Sequence, residues 1–146
     1  MANLDQDIQS TFANPYVKAL INVKFTASFL DQLGSAILKP HGISEPQYNI
    51  LRILRGAKTA ISVNQVKERM IQKSPNSTRL MDKLCDKKLA ERKRCQEDRR
   101  LVKVQITNKG LELLEAIDLS PMEAQIRNLN QAEATELNRL LDKLRA

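Results

Sequence analysis

The feature that most constrains the fold is a pair of short segments just past the middle of the chain, both patterned as β-strands. Residues 89–94 form the first, and in the second, residues 101–106, every other side chain is β-branched. The linking residues 95–100 are polar and end in Arg99 and Arg100. We therefore predict a two-stranded hairpin with a basic tip, a shape suited to a groove of duplex DNA.

Two predicted helices precede this hairpin. Ser62 and Gln65 have the spacing of a capping box, and Ser74 followed by Pro75 predicts a second helix that Ser74 caps. Two short helices joined by a tight turn predict a helix-turn-helix, and the hairpin that follows adds a wing. The outer face of the second helix is polar and consists of Asn76, Thr78, Arg79, Asp82 and Lys83.

Longer helices are predicted on both sides of this region. Apolar side chains recur every three or four residues from Pro15 to about Lys39, and again within residues 110–146, where a Ser-Pro pair interrupts the pattern. Ser44 is expected to cap an intervening helix that Gly56 ends in a left-handed conformation. The fold class is therefore mostly α with a small β-hairpin wing, a winged helix-turn-helix with terminal dimerisation helices.

We predict one domain over residues 1–146, with a DNA-binding core at about 42–109. The helices at about 12–40 and 110–146 carry more apolar surface than a small winged domain needs, so we assign them to a homodimer. The alternative is that these helices cover the core of their own domain.

The positive charge of the chain is concentrated in one segment. The whole chain has 24 Lys and Arg against 17 Asp and Glu, a net charge of +7. Residues 67–109 hold 14 basic and 6 acidic residues, so the rest of the chain is close to neutral. A localised basic block indicates contact with phosphates. The alternative is a solvated basic face that binds nothing.

Several function classes find no support in the sequence. No apolar run reaches the roughly 20 residues of a membrane span, and residues 1–5 do not have the order of a signal peptide, so we expect a cytoplasmic protein. His41 has no cysteine or carboxylate beside it at a metal-ligand spacing. No phosphate-binding loop or nucleophile motif is present, and neither an enzyme, a metal nor a cofactor is expected.

Four segments together resemble the MarR family of bacterial transcription regulators. Residues 78–92 match the recognition helix and the turn after it, and residues 98–100 match the Asp-Arg-Arg wing. Residues 104–110 match the junction of strand and helix, and residues 42–51 match the start of an upstream helix. Lys88 stands where the family usually has a glycine that adopts a left-handed backbone.

The resemblance implies a homodimer with interleaved terminal helices that binds double-stranded DNA at a palindromic operator. It also implies a repressor that is released by a small ligand or by cysteine oxidation. The alternatives are a winged-helix module that binds proteins and not DNA, and a redox-sensing regulator.

The predicted DNA contacts lie on the second helix and on the wing. On the helix, Arg79 suits a guanine, Asn76 an adenine, and Thr78 a phosphate or a thymine methyl group. Asp98 is expected to hold the guanidinium of Arg100, or to close the turn by accepting backbone hydrogen bonds, and the two roles are compatible. Lys83 and residues 92–94 are expected to lie near phosphates or in solvent. The full set of predicted DNA-binding residues is Asn76, Thr78, Arg79, Lys83, Arg99 and Arg100.

A small aromatic or anionic effector is predicted between the long first helix and the DNA-binding core, although these positions are also compatible with ordinary core. Lys24 and Arg52 are the two candidates for binding a carboxylate group of such an effector. Of the two cysteines, Cys85 is expected to be a packed side chain, whereas Cys95 in the wing is the candidate for a redox switch. The predicted ligand-binding residues are Phe25, Phe29, Tyr48, Leu51 and Arg52.

Overall fold

The computed structural model describes residues 3–146 and shows eight α-helices and three strands within that range. The helices are α1 (Leu4–Asp7), α2 (Pro15–Leu38), α3 (Glu45–Ala57), α4 (Val63–Arg69), α5 (Ser77–Asp86), α6 (Asn108–Ala116), α7 (Ser120–Ile126) and α8 (Gln131–Arg145). The strands are β1 (Ile61–Ser62), β2 (Ala90–Arg94) and β3 (Val102–Ile106), and a 3-10 turn (Lys39–His41) joins α2 to α3. The predicted fold class is confirmed. Met1 and Ala2, part of the N-terminus expected to lack a signal peptide, lie outside the described residues.

Three helices begin with a complete capping box. Ser44, Ser62 and Asn130 each accept a hydrogen bond from the backbone N–H three residues later. The side chain at that later position in turn accepts one from the N–H of the cap residue. Each box satisfies donors that a helix start otherwise leaves unpaired, so local sequence is enough to fix where α3, α4 and α8 begin.

The end of α3 differs from the prediction. The helix runs past Gly56 to Ala57, and Lys58 takes the left-handed conformation with φ of 60°. The backbone N–H of Lys58 donates to the carbonyl of Arg55 at 3.3 Å. The expected cap at Gly56 was therefore wrong, because the helical hydrogen bonding continues through the glycine.

The start of α5 also differs, by two residues. Ser74 does not cap the helix; it begins a turn in which its hydroxyl accepts from the N–H of Asn76 at 3.2 Å. Its carbonyl accepts from the hydroxyl of Ser77 at 2.6 Å, and the helix begins at Ser77 with Asn76 as its cap residue. The Ser-Pro pair thus forms a turn before the helix and not its first turn.

The hairpin is part of a three-stranded antiparallel sheet in the order β1-β3-β2. The predicted pairing of β2 with β3 is confirmed, with Ala90 opposite Ile106 and Arg94 opposite Val102. The two-residue strand β1 pairs Ile61 with Val104 on the other side of β3 and was not predicted. This third strand makes β3 the central strand, so the wing is anchored to the helical core.

One hydrophobic core lies between α3, α5, α6 and the sheet. Helix α3 contributes Ile50, Leu51 and Leu54, which are almost completely buried. Its neighbours α4 and α5 add Val66, Met81 and Leu84. Burial of such side chains contributes about 1.5–3 kcal/mol each, and it fixes the position of α5 on the surface.

Candidate nucleic-acid interface

Helix α5 has one buried face and one exposed face, as the sequence predicted. Ser77, Met81 and Leu84 are buried, and the hydroxyl of Ser77 is satisfied by the preceding turn. Thr78 and Arg79 lie on the opposite, exposed face. Because α5 packs against α3 and β2 through its inner face, its outer side chains are free to meet a partner.

The turn after α5 has the left-handed geometry that the resemblance implied. Lys88 has φ of 61°, and its backbone N–H donates to the carbonyl of Cys85 at 2.9 Å. The N–H of Leu89 donates to the carbonyl of Leu84 at 3.0 Å, which is the hydrogen-bond pattern that ends helices at a left-handed residue. A lysine therefore adopts here a conformation that glycine adopts at lower cost.

A set of hydrogen bonds joins this turn to the start of α6. The hydroxyl of Thr107 donates to the carbonyl of Lys88 at 2.7 Å and also accepts from the N–H of Gly110 at 3.1 Å. A Cβ atom at Gly110 would collide with the carbonyl oxygen of Leu89, so this position has no room for a larger residue. The end of the recognition helix, the wing and α6 are thus held as one unit.

An ion pair joins the recognition helix to the wing. The guanidinium of Arg92 on β2 contacts the carboxylate of Asp82 on α5. Arg92 was expected to lie near phosphates or in solvent, and the structure assigns it to this bridge within the protein. Sequence reasoning missed the pair because opposite charges ten residues apart carry no periodic signal that places them together.

The tip of the wing is closed by Asp98. Its carboxylate accepts from the backbone N–H of Arg100 at 3.0 Å, and its carbonyl accepts from the N–H of Leu101 at 3.0 Å. Of the two roles predicted for Asp98, this geometry corresponds to closure of the turn. Arg99 and Arg100 are exposed, and within residues 3–146 neither forms an ion pair.

The predicted DNA-binding residues fall into two groups. Asn76, Thr78, Arg79 and Lys83 lie at the start and on the outer face of α5, all exposed. Arg99 and Arg100 lie in the loop between β2 and β3, and β2 contacts α5. The two groups therefore belong to one packed unit, although they occupy separate elements of it.

Ile71 is an exposed residue that the sequence reasoning did not single out. Helix α4 ends at Arg69 and leaves Ile71 in the turn before α5 with 87% of its surface exposed. Its backbone N–H donates to the side chain of Asn49 at 3.0 Å, which holds the turn against α3. The only signal in the sequence for this exposed position is an isoleucine within a basic turn.

The two cysteines are free thiols in different settings. Cys85 packs partly against the core, and burial, with a smaller effect from the charge of Asp86, raises the pKa of its thiol. A raised pKa disfavours the reactive thiolate, in agreement with a packing role. Cys95 lies in the wing beside Arg94 and Arg99 around a small cavity of about 300 Å³.

The structure does not gather the five predicted ligand-binding residues in one cavity. Leu51 is completely buried in the core, so it offers no surface to a ligand. Tyr48 is half-buried, and the guanidinium of Arg52 lies 5.9 Å from the centre of its ring. Phe25 and Phe29 are exposed on α2. The assignment of Leu51 as a wall of the site therefore does not agree with its position.

A helix with a free polar face, held by its other face over an antiparallel wing, defines a winged-helix protein. Comparison with solved structures agrees at the level of the fold. The chain is similar to a MarR transcription factor from Planctomyces limnophilus, with 29% identity over 92% of this chain and 98% of that one and a TM-score of 0.67. It is also similar to a mutant MarR from E. coli complexed with operator DNA, at 24% identity, 98% and 99% coverage and a TM-score of 0.75. The S. aureus MepR-DNA complex is also similar, with 20% identity over 85% of this chain and 93% of that one and a TM-score of 0.75.

A family model described as the transcriptional regulator SarA/Rot matches residues 32–117, which is more than half of the chain. The chain therefore belongs to the SarA/Rot family of transcriptional regulators, and it has the MarR-type winged-helix fold predicted from its sequence. A comparison with curated protein sequences gives no match. Within residues 3–146 no helix combines the length and the apolar character that crossing a membrane requires.

Proposed function

We propose that this protein is a homodimeric repressor that binds palindromic double-stranded DNA through α5 and the wing and responds to a small ligand. The observation that carries the DNA-binding part is the coincidence of the basic segment with the exposed recognition face. Residues 67–109, which hold the excess positive charge, include α5, both wing strands and the loop between them. Lysines and arginines placed there release counterions from DNA when they meet phosphates, which supplies affinity.

The exposed face of α5 supplies the means to read sequence. Arg79 lies in the first turn of the helix with an exposed side chain, and an arginine at such a position donates two hydrogen bonds to a guanine edge. Arg99 and Arg100 at the wing tip suit the narrow, electronegative minor groove beside it. Base reading and backbone attraction are thus divided between the helix and the wing.

Dimerisation is supported by helices that a single chain leaves uncovered. Helix α8 has 15 residues and buries none of them, yet Leu137, Leu140 and Leu144 lie on it as an apolar stripe. An isolated helix of about 12–15 residues is only marginally stable in water. A partner that covers this stripe is therefore needed to keep α8 folded, and a second copy of the chain offers the same stripe.

Helix α2 supports the same conclusion. In its C-terminal half, Gly34 and Leu38 are buried against the rest of the chain. The same helical stripe continues towards the N-terminus through Val23, Leu20 and Tyr16, which are all exposed. The chain itself therefore covers only the C-terminal half of this stripe. We assign the exposed N-terminal half of α2 to contact with the partner chain.

Two of the three similar structures described above contain DNA. They are the E. coli MarR mutant complexed with operator DNA and the S. aureus MepR-DNA complex. Their likeness covers 98% and 85% of this chain, which supports the same use of its winged-helix fold here.

The test is selection of duplexes from a random-sequence pool by the full chain, followed by anisotropy titration of the enriched duplex and a scrambled duplex of equal composition. We expect enrichment of a palindrome, and a loss of affinity of about a thousandfold or more between roughly 50 and 200 mM salt. Failure to enrich any sequence, with weak and salt-insensitive binding, would instead favour a winged-helix module that binds proteins.

Repression and ligand response require separate tests. Transcription from a promoter that carries the enriched palindrome should fall when the protein is added, and a rise would make it an activator.

Phe25, Phe29, Tyr48 and Arg52 remain the proposed contacts for an aromatic acid such as salicylate. Since Phe25 and Phe29 are exposed in one chain, a closed site there needs the partner chain to complete it. Loss of DNA binding with peroxide that is reversed by thiol and absent in Cys95→Ser would replace ligand control with redox control.

A further inference from the structure

The turn between α4 and α5 presents an isoleucine to solvent. Ile71 has 87% of its surface exposed, whereas its neighbour Met70 is 4% exposed and belongs to the core. The backbone of Met70 is extended, with φ of −66° and ψ of 137°, and successive side chains of an extended chain point in opposite directions. Burial of Met70 therefore directs the side chain of Ile71 away from the core.

The protein holds this turn in place. The backbone N–H of Ile71 donates to the side chain of Asn49 on α3 at 3.0 Å, which anchors the turn to the helical core. A β-branched side chain is in addition restricted about its first torsion angle. A contact made by Ile71 therefore loses less conformational freedom than a contact made by a long, flexible side chain.

The surroundings of Ile71 distinguish it from the single apolar side chains that are common on protein surfaces. Residues 69–81 contain three cationic side chains and no carboxylate. The three are Arg69, Lys73 and Arg79; all are exposed, and none forms an ion pair with another described residue. An apolar side chain among unpaired positive charges fits a partner that is anionic and also offers hydrocarbon to contact.

Duplex DNA combines these two properties. Its phosphates are anionic, and each thymine presents a methyl group in the major groove, which an apolar side chain can contact. The turn that carries Ile71 leads directly into α5, and the first residues of a recognition helix are the ones that enter the major groove. Ile71 therefore belongs beside the same groove as the proposed base contacts of α5.

We propose that Ile71 contacts the 5-methyl group of a thymine next to the bases read by α5, and that this contact adds a thymine to the sequence requirement of each half-site. The assignment rests on the proposed function, because it needs α5 to lie in the major groove. Arg69 and Lys73, on either side of Ile71 in the chain, supply positive charge for the neighbouring phosphates. Ile71 is thus a specificity-determining residue outside the recognition helix.

The test uses the full chain and the duplex that it enriches from the random pool. Each thymine of one half-site is replaced in turn by deoxyuridine, which forms the same base pair and lacks only the 5-methyl group. In anisotropy titrations of the parent protein, we expect a position at which the replacement weakens binding about fourfold, the effect of leaving one methylene-sized group exposed. For Ile71→Ala the replacement at that position should have no effect. This variant should also bind the unmodified duplex at least about fourfold more weakly than the parent does.

Gln72→Ala is the matched control, since Gln72 is exposed in the same turn and the change likewise leaves only a methyl group. This variant should keep the preference for thymine over deoxyuridine at the position that Ile71 contacts. Because the side chain of Ile71 lies outside the core, Ile71→Ala should unfold in urea as the parent protein does. A loss of DNA binding then reports a lost contact and not a lost fold.

The assignment is overturned if Ile71→Ala responds to deoxyuridine as the parent protein does at every thymine. It is also overturned if Ile71→Ala binds the unmodified duplex as tightly as the parent, which would leave Ile71 to a protein partner. Either result with an enriched duplex in hand removes the thymine contact and leaves DNA binding by this chain intact. Failure to enrich any duplex overturns the proposed function, and the thymine contact with it.

Discussion

At the scale of single residues, Arg79 and Arg100 are assigned different tasks. Arg79 is placed to contact a base edge, so Arg79→Ala should reduce discrimination between the enriched and scrambled duplexes by about 1–3 kcal/mol. Arg100 is placed to meet the backbone and the minor groove, so Arg100→Ala should weaken binding to both duplexes equally and reduce the salt slope by about 1. Anisotropy titrations of both variants on both duplexes provide the measurement.

Arg55→Ala is the matched control, since Arg55 is an exposed arginine in the last turn of α3, outside the basic segment. Its binding curves should overlay those of the parent protein. If Arg79→Ala weakens binding to both duplexes to the same extent, then the outer face of α5 does not read bases and Arg79 is a phosphate contact.

Lys88 offers a residue-scale test of the fold. Its φ of 61° is unfavourable for a side chain with a Cβ atom, and glycine avoids that cost. We expect Lys88→Gly to raise the free energy of unfolding by a few tenths to about 1 kcal/mol, the entropy of the unfolded glycine offsetting part of the gain. Urea denaturation measures this change.

Lys88→Ala is the control, because it removes the same charge and the same long side chain but keeps the Cβ atom. Its stability should stay close to that of the parent protein. Equal stability of the glycine and alanine variants would mean that the backbone at this turn is relaxed and that the lysine carries no conformational cost.

At the scale of elements, the sequence predicted what local chemistry decides. The helix starts predicted at Ser44 and Ser62 were correct because each capping box is complete within four residues. The strand β1 was missed because two residues are too few to show alternation, and β1 exists only because β3 pairs with it. The predicted start of α5 was two residues too early, because Ser74 can either cap a helix or form a turn. In the turn, its hydroxyl and its carbonyl are both hydrogen-bonded.

The contact between α2 and α3 contains a carboxylate that is unfavourable in its ionised form. One oxygen of Glu45 is buried without a hydrogen-bond partner among the described residues, and the side chain lies directly against Gly34. Burial raises the pKa of Glu45, and the nearby charge of Asp31 raises it further. The folded state therefore binds a proton at the Glu45 carboxylate more tightly than the unfolded chain does. The stability that this protonation contributes is complete at low pH and is lost as the pH rises through the raised pKa.

Glu45→Gln removes this charge and keeps the shape of the side chain. We expect the variant to be more stable than the parent protein at pH 7, and this advantage should shrink as the pH falls towards the ordinary glutamate range near 4.5. Urea denaturation of both proteins at several pH values measures the difference. An advantage that does not depend on pH would show that the carboxylate at α3 is not strained by its surroundings.

At the scale of the whole molecule, the sequence predicted the exposure of the candidate DNA contacts better than it predicted the surroundings of the candidate ligand contacts. Helical periodicity and wing composition are local signals, and they put Arg79 and Arg100 on exposed surfaces. The ligand residues were chosen as apolar positions on neighbouring helices, a pattern that core residues share, and Leu51 belongs to the core. The position of Ile71 could not be predicted, because its backbone is held by Asn49, which lies 22 residues earlier in the chain.

The proposed dimer is the whole-molecule property on which the proposed recognition of a palindrome depends. Two recognition helices reach successive major grooves only when they are held about 34 Å apart, so a monomer loses the second half-site. Light scattering at micromolar concentration should give twice the chain mass of 16.6 kDa.

Leu140→Glu introduces a charge into the apolar stripe of α8, and removal of the chain after Asn130 deletes α8 completely. Both changes should yield monomers that bind a palindrome no better than a single half-site. Thr135→Glu, an equally charged change at an exposed position on the opposite side of α8, should remain dimeric. A parent chain that is monomeric and still prefers the palindrome would show that α2 and α8 serve another partner.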